Sequence, residues 1–284
     1  GAVGFSDDTH TIKNSDILKR ALEYASMTNK VVIDHCEDES FTGWAMNESF
    51  ISTELGLPPQ PSPAEEIIAA RDIAVAEYSG GRLHLAHISS KRTVELIRDA
   101  KMRGVKVTAE TLPHLFAFDD SVMMSYDTDF KVNPPIRSNE DAEALISGLS
   151  DGTIDCIASD HQPHSIEEKD VEFIYAPFGS IGLETALPAA ITLLVHKNKL
   201  ALAQLIEKMS INPRKILGLE VPSITIGEKA NITIIDLNEE WTYCTSGTKS
   251  KSKNAIFKNY NFKGRAKAVI NNSKIYSNGN VKSI

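Results

Sequence analysis

Short apolar runs rich in β-branched residues recur along the chain, and each gives way to a polar side chain. The runs, with the polar residues that follow them, are AVGF before Ser6-Asp7-Asp8, KVVID before His35, RLHLA before His87, VKVTA before Glu110 and DCIAS before Asp160. Amphipathic stretches between them predict helices, one from Ser15 to about Thr28 and another ending before Gly104. Strands that alternate with helices predict βαβ crossovers and a parallel sheet.

Two further helix starts carry capping signals. Ser62-Pro63-Ala64-Glu65 predicts a capping box with proline in the first helical position, and Ser138-x-x-Asp141 is a weaker version of the same signal. Each lies in front of an apolar helical stretch, so we expect helices to begin after Ser62 and after Ser138.

The polar residues at the strand ends decide between two α/β architectures. In α/β folds, ligands gather at the carboxyl ends of the strands. The crevice of a doubly wound sheet contacts only a few strand ends, whereas a barrel brings all of them to one rim. The sequence therefore predicts an α/β fold of the (β/α)8 TIM-barrel type over residues 1–218. After Gly218 the pattern becomes strand-like, which predicts a small β appendage over residues 219–284.

Composition narrows the classes of partner. The 284 residues carry a net charge of −8 and are 42% hydrophobic, which is ordinary for a soluble globular protein and does not favour nucleic acid. Charges between Lys249 and Lys267 are all basic, which indicates a solvated face or, alternatively, a surface for an anionic partner. The sequence has no apolar run of membrane-spanning length and no secretory signal. Three widely spaced cysteines, Cys36, Cys156 and Cys244, predict buried free thiols in a reducing cytoplasm.

Two histidines and two acids at equivalent strand ends suggest chemistry. A single such histidine is most often a hydrogen-bonded residue at the edge of the core. Together, His35, His87, Asp8 and Asp160 would suit Zn²⁺ or a similar divalent ion, which activates a bound water and polarises a carbonyl. Asp160 could then accept the proton of the water and pass it to a leaving nitrogen.

These stretches, taken in order, resemble a known family. They are GFSDD, VVIDHCED, LHLAHISSKRTVELIRDAK, VKVTAETLPH, VNPPIR, IASDHQPH and FGSIGLET, and the closing GEKANITIIDL resembles a composite β-sandwich. The chain resembles the amidohydrolase superfamily, and within it the bacterial dihydroorotases that use aspartate where relatives carry a carboxylated lysine. The resemblance implies a metal-dependent cyclic amide hydrolase that interconverts N-carbamoyl-L-aspartate and L-dihydroorotate in pyrimidine synthesis.

The resemblance also implies a metal site. Asp8 matches a carboxylate that bridges two metals, and His35 and His87 match ligands of one of them. Asp160 matches the acid that binds the other metal and moves the proton. The implied cofactor is one or two Zn²⁺ ions. His161 is expected to orient Asp160 or a neighbouring ligand.

Further positions match substrate contacts of the family. Asn133 and His164 match substrate-binding residues, with His164 reaching the substrate carboxylate. Pro177, Phe178 and Gly179 match a loop whose backbone meets the pyrimidine ring. His84 and Glu110 are expected to be structural.

One family motif is absent from the sequence, which contains no His-x-His-x-Arg. The first strand resembles the fourth strand of the family, so the resemblance implies an incomplete barrel of strands 4–8. We expect the missing N-terminal segment to remain associated, and the chain alone to bind at most one metal and to have little activity. A homodimer and an association with aspartate carbamoyltransferase are further expectations. The alternatives are another cyclic amidohydrolase (dihydropyrimidinase, hydantoinase or allantoinase) and a non-catalytic scaffold.

Overall fold

A computed structural model describes residues 1–277 and 280–283. The strands are β1 (Gly4–Ser6), β2 (Val31–His35), β3 (Met46–Asn47), β4 (Pro59–Gln60), β5 (Arg82–Ala86), β6 (Val107–Thr111), β7 (Cys156–Ile157), β8 (Ile232–Thr242), β9 (Asn261–Asn271), β10 (Lys274–Ser277) and β11 (Asn280–Ser283). The helices are α1 (Ser15–Ser26), α2 (Phe50–Leu55), α3 (Pro63–Ser79), α4 (Lys91–Met102), α5 (Pro113–Ala117), α6 (Asn139–Asp151), α7 (Ile166–Lys169), α8 (Ala186–Ala190), α9 (Leu202–Ile206) and α10 (Asn212–Leu217). Five parallel strands pair in the order β1-β2-β5-β6-β7, with a helix between each strand and the next.

Local sequence explains where the helices around this sheet begin. The Asn14 side chain accepts hydrogen bonds from the first N–H groups of α1, and Leu18, Leu22 and Ala25 bury one face of that helix. The Ser138 capping box of α6 is confirmed. Helix α4 ends at Met102, just before Gly104 with its positive φ of 83°, as the sequence indicated.

The capping box predicted at Ser62 is wrong. Helix α3 does begin at Pro63, but Ser62 is itself helical and its side chain makes no cap hydrogen bond. Glu65 is buried and accepts instead from the backbone N–H groups of Ser89 and Ser90, at 3.0 Å each. A long-range partner has therefore taken the carboxylate that a local motif would have used.

The parallel register of the strands brings the predicted site residues to one edge of the sheet. Ser6 pairs with Ile33, and His35 pairs with Ala86, so the chain leaves β1, β2 and β5 at neighbouring points. Asp8 lies two residues beyond β1, and His87 is the first residue beyond β5. Strand β7 is shorter than predicted and ends at Ile157, before Asp160.

The C-terminal part is a four-stranded antiparallel sheet in the order β11-β10-β9-β8. The predicted strand pair around Asn271-Asn272 is confirmed as β9 and β10, whereas residues 219–231 contain no strand, against expectation. Basic residues of β9 pair with acids of β8, as in the ion pair of Lys267 with Glu239, which favours the solvated-face interpretation. The boundary at residue 218 stays a prediction, because Phe262 belongs to the same apolar core cluster as residues of the parallel sheet.

Two predicted helices contain wider turns. Helix α8 continues as a π-helix over Ile191–Val195, and α9 continues as another over Glu207–Ile211.

Across residues 1–277 and 280–283, no helix combines the length and apolarity needed to cross a membrane. Cys36 and Cys156 are buried free thiols, whereas Cys244 is exposed, contrary to expectation.

Candidate active site

Three of the four predicted metal ligands converge at the strand ends. His35 Nδ1 lies 3.3 Å from His87 Nε2 and 3.9 Å from Asp8 Oδ1, and His87 Nε2 lies 3.3 Å from Asp8 Oδ1. Both histidines are buried and the aspartate is more open. The hydrogen bond from His87 outweighs burial and lowers the pKa of Asp8.

The geometry of this triangle fits a divalent ion. Zn²⁺ binds nitrogen and oxygen ligands at about 2.0–2.1 Å, so a tetrahedral site places ligand atoms about 3.3 Å apart. Two of the three observed separations, at 3.3 Å, match that value. Two imidazoles with one carboxylate leave a coordination position open, which is typical of catalytic zinc sites.

Asp160 stands near this triangle without joining it. Among the described residues, the cluster of possible ligands is Asp8, His35 and His87. Asp160 has a left-handed backbone with φ of 44°, as does His87 with φ of 32°, and such strain is concentrated at functional sites. Burial raises the pKa of Asp160, against the opposing charge of His87 and a hydrogen bond from Gln162.

The role expected of His161, which is to orient Asp160 or a neighbouring ligand, stays a prediction. The hydrogen bond to Asp160 comes from Gln162, whose Nε2 donates to Asp160 Oδ1 at 2.8 Å. His161 Nδ1 instead accepts from the backbone N–H of Gly182 at 3.2 Å. The sequence did not indicate a role for Gln162, although it lies in the SDHQPH stretch.

The sequence did not indicate Glu37, a carboxylate that contacts Nε2 of His35. Glu37 Oε2 accepts from His35 Nε2 at 2.7 Å and from Asn133 Nδ2 at 2.8 Å, and these and other hydrogen bonds outweigh burial and lower the pKa of Glu37 to about 2. Its position two residues after a candidate ligand was the available signal. Its partner Asn133 comes from a distant part of the chain, which no local pattern shows.

The triangle opens into a cavity of about 300 Å³. The lining residues are Asp8, Thr9, His35, His87, Asn133, Gln162, Pro177 and Phe178. Three of the predicted substrate residues, Asn133, Pro177 and Phe178, therefore face the same space as the candidate ligands. A larger cavity of about 490 Å³ lies beside Trp241 and Arg265, but no histidine is among the described residues that line it.

His164 and Gly179 are not among the described residues that line this cavity, but both contact the segments that do. His164 Nε2 is 2.8 Å from the carbonyl oxygen of Phe178, and the Gly179 N–H donates to the Lys131 carbonyl at 2.9 Å. Asn254 ties these segments together, because its Oδ1 accepts from His164 N–H and its Nδ2 donates to the Gly179 carbonyl. The sequence did not single out Lys131 or Asn254.

The residues expected to be structural contact one another. His84 Nδ1 is 2.8 Å from Thr108 Oγ1, and His84 Nε2 is 3.3 Å from Glu110 Oε2. The hydrogen bond from His84 overcomes burial and lowers the pKa of Glu110. His114 is buried as well, and burial lowers its pKa to about 3.

Comparison with known proteins assigns the family. Residues 1–276 match the amidohydrolase family. The chain belongs to that family. Proteins named dihydroorotase from Acetivibrio thermocellus and Syntrophus aciditrophicus are 51% and 47% identical to it, and each match covers 93% of this chain. The chain spans 62% of the length of these two relatives.

Two solved structures have the same fold as this chain. The L-hydantoinase (dihydropyrimidinase) from Arthrobacter aurescens has a TM-score of 0.83 and 26% identity, and the match covers 100% of this chain and 65% of that one. The dihydropyrimidinase from Brevibacillus agri has a TM-score of 0.80 at 20% identity, covering 99% of this chain and 62% of that one. These matches confirm the predicted barrel class, with five of its parallel strands in this chain.

Proposed function

We propose that this amidohydrolase chain carries the metal-binding rim of a dihydroorotase, which interconverts N-carbamoyl-L-aspartate and L-dihydroorotate. The observation that carries the proposal is the triangle of Asp8, His35 and His87 at the mouth of a cavity lined by Asn133 and Phe178. The relatives named dihydroorotase, at 51% and 47% identity, support this choice of substrate.

The proposed cofactor is Zn²⁺, as one or two ions per complete site. Asp8, His35 and His87 would hold one ion, and the second would lie towards Asp160. When bound, the metal would supply Lewis acidity for the amide carbonyl and for the attacking water.

Asp160 is the proposed proton carrier. In the hydrolytic direction, water adds to the ring carbonyl carbon and the bond from that carbon to the ring nitrogen breaks. Asp160 takes a proton from the water and returns it to the departing nitrogen, so that the two steps balance. The hydrogen bond from Gln162 Nε2 restrains one oxygen of Asp160, which supports this role.

The remaining site residues are assigned to the substrate. Asn133, Pro177 and Phe178 would contact the ring, since all three line the cavity. Gly179 would support that contact from behind. The proposed contact of His164 with the substrate carboxylate requires its ring to leave the Phe178 carbonyl, to which it is bonded at 2.8 Å.

A chimera tests the activity directly. This chain would replace the matching segment of the Acetivibrio thermocellus dihydroorotase, to which it is 51% identical. We expect turnover of L-dihydroorotate, reduced about 10²–10⁴-fold by Asp160→Asn because a proton carrier is lost. Asp170→Asn, at an exposed position, is the matched control. Loss of turnover in the unmodified chimera would contradict the proposal.

The same chimera separates dihydroorotase from other cyclic amidohydrolases. The solved relatives are named hydantoinase or dihydropyrimidinase, at 20–26% identity. A substrate panel of L-dihydroorotate, dihydrouracil and allantoin distinguishes these possibilities. A preference for dihydrouracil or allantoin would contradict the proposed substrate but not the proposed metal site. Zinc binding without turnover of any of the three would favour the scaffold alternative.

The expected partners stay predictions. They are a second copy of the chain, a polypeptide that supplies further barrel strands, and aspartate carbamoyltransferase. Native mass spectrometry of the chain purified from its own cells would test all three. A mass of 31.1 kDa alone would contradict each association.

A further inference from the structure

The Glu37 carboxylate collects hydrogen bonds from four side chains. Its Oε2 accepts from His35 and Asn133, as described above, and its Oε1 accepts from Trp44 Nε1 at 2.9 Å and Gln60 Nε2 at 3.1 Å. An ionised carboxylate offers only acceptors, so every group that faces it must present an N–H. Glu37 therefore determines which atoms its partners turn towards it and which they turn away.

His35 is constrained first. A neutral imidazole carries one proton, and the hydrogen bond to Glu37 at 2.7 Å places that proton on Nε2. The Nδ1 lone pair is then free, and Nδ1 is the atom that lies 3.3 Å from His87 Nε2 and 3.9 Å from Asp8 Oδ1. The carboxylate thus turns the metal-binding nitrogen of His35 towards the triangle.

Asn133 is constrained in the same way. Its Nδ2 is the donor to Glu37 at 2.8 Å, because the amide oxygen could not face an ionised carboxylate. The amide oxygen is then the polar side-chain atom that Asn133 can offer to the cavity it lines. An acceptor at that point binds a ligand N–H and repels a ligand carboxylate.

We propose that Glu37 is a positioning residue with two effects: it fixes the metal-binding nitrogen of His35, and it makes Asn133 recognise an N–H of the substrate. Only the second effect, on Asn133, rests on the proposed function. L-dihydroorotate and N-carbamoyl-L-aspartate both carry N–H groups on the ureide, so a fixed acceptor selects the ureide end of either molecule. The carboxylate of the substrate must be bound elsewhere.

The first effect is tested without any assay of activity. Glu37→Gln replaces one acceptor oxygen with a donor, which conflicts with at least one of the four N–H partners. We expect Zn²⁺ affinity, measured by competition with a chromophoric chelator, to fall about 10–100-fold. Glu39→Gln is the matched control two residues along the same loop, where the carboxylate contacts Lys13 rather than His35. An affinity for Zn²⁺ that is unchanged in Glu37→Gln would overturn the proposal.

A second measurement uses the unmodified chain, so it does not depend on the folding of a variant. Nitrogen-15 NMR of the metal-free protein with labelled histidine distinguishes the two imidazole tautomers. We expect His35 to carry its proton on Nε2, with the signal assigned by its loss in His35→Gln. A proton on Nδ1 would overturn the proposal.

The second effect is tested with ligands. In the Asp160→Asn form of the chimera described above, in which turnover is expected to be slow, calorimetry would compare binding of L-dihydroorotate in this parent and in the same protein with Asn133→Ala. We expect Asn133→Ala to weaken binding about 10-fold or more, since a buried hydrogen bond to the ureide is lost, while Zn²⁺ affinity stays within about 3-fold. Equal ligand affinity in both proteins would overturn the assignment of Asn133. Failure of the parent chimera to bind L-dihydroorotate would instead count against the proposed function and leave the role of Glu37 at His35 in place.

Discussion

The guanidinium of Arg137 lies 3.9 Å from the carboxylate of Glu65 in the interior, and both groups bind Ser89. Ser89 lies two residues beyond His87, so this buried pair holds the turn that carries a candidate metal ligand. Arg137 is 2% exposed and also donates to the carbonyl and the side-chain oxygen of Gln60. The charge of Arg137 is therefore fully engaged inside the protein.

Removal of Arg137 should be strongly destabilising. Arg137→Met leaves the Glu65 carboxylate buried without its cation, which costs about 3–5 kcal/mol in the free energy of unfolding. Arg98→Met is the matched control, because Arg98 pairs with Asp151 at the surface and such pairs contribute about 0–1 kcal/mol. Urea unfolding of both variants measures the difference. Similar losses in the two variants would contradict the importance of burial.

Local periodicity was sufficient to locate the candidate ligands. His35 is the last residue of an apolar strand, and Asp8 and His87 follow apolar strands. Parallel pairing brings such strand ends together whatever the intervening helices are. The chemistry of Glu37 could not be predicted in this way, because Trp44, Gln60 and Asn133 reach it through tertiary folding.

The errors of prediction have physical explanations that differ from one element to the next. Glu65 has the spacing of a capping box, but its carboxylate binds the buried N–H groups of Ser89 and Ser90 instead. Buried N–H groups have no access to water and require a protein acceptor, whereas N–H groups at the start of α3 can bond to water. The π-helices after α8 and α9 have no distinct apolar period, so the sequence predicted ordinary helices there. Asp160 was predicted at a strand end, but β7 ends at Ile157, three residues before it.

The buried carboxyl of Asp72 should make stability depend on pH. Burial, together with the neighbouring Asp34, raises the pKa of Asp72 from 3.8 to about 9 in the folded protein. The folded state therefore favours the protonated carboxyl, and this contribution is complete below pH 3.8 and is lost as pH rises towards 9.

Replacement of Asp72 by asparagine removes that dependence. Asp72→Asn cannot ionise, so its free energy of unfolding should rise relative to the parent between pH 5 and 8, by at most about 1.4 kcal/mol per pH unit. Thermal unfolding of both proteins across this range measures the difference. Parallel stability curves would show that Asp72 does not titrate as described.

Gly179 should tolerate no side chain. Its φ of 129° is unfavourable for other residues, and an added Cβ would lie 2.6 Å from Gln162 Cβ. Gly179→Ala should cost about 1–3 kcal/mol and displace Gln162, the hydrogen-bond donor to Asp160. Gly247→Ala is the control, because no atom lies within 4 Å of its Cβ. Equal melting temperatures for the two variants would contradict the crowding.

Asn254 should prove to be a structural link between two loops of the site. It is 5% exposed, and its side chain bonds to His164 N–H at 3.1 Å, Gln162 carbonyl at 3.0 Å and Gly179 carbonyl at 3.1 Å. Asn254→Ala leaves these three backbone groups without that partner, at a cost of about 1–3 kcal/mol for each group that water cannot reach.

The aspartate variant separates the two halves of this link. Asn254→Asp keeps the acceptor for the His164 N–H but places a carboxylate oxygen against the carbonyls of Gln162 and Gly179. Residues 162–166 therefore keep one side-chain bond to this position, through His164, whereas the Gly179 segment loses its bond to this side chain. Hydrogen exchange followed by mass spectrometry should then show faster exchange around residues 177–181 than around residues 162–166. Asn238→Ala, at an exposed position on β8, should leave both segments unchanged. Equal protection of residues 177–181 in the parent and in Asn254→Asp would show that these carbonyl bonds do not hold the loop.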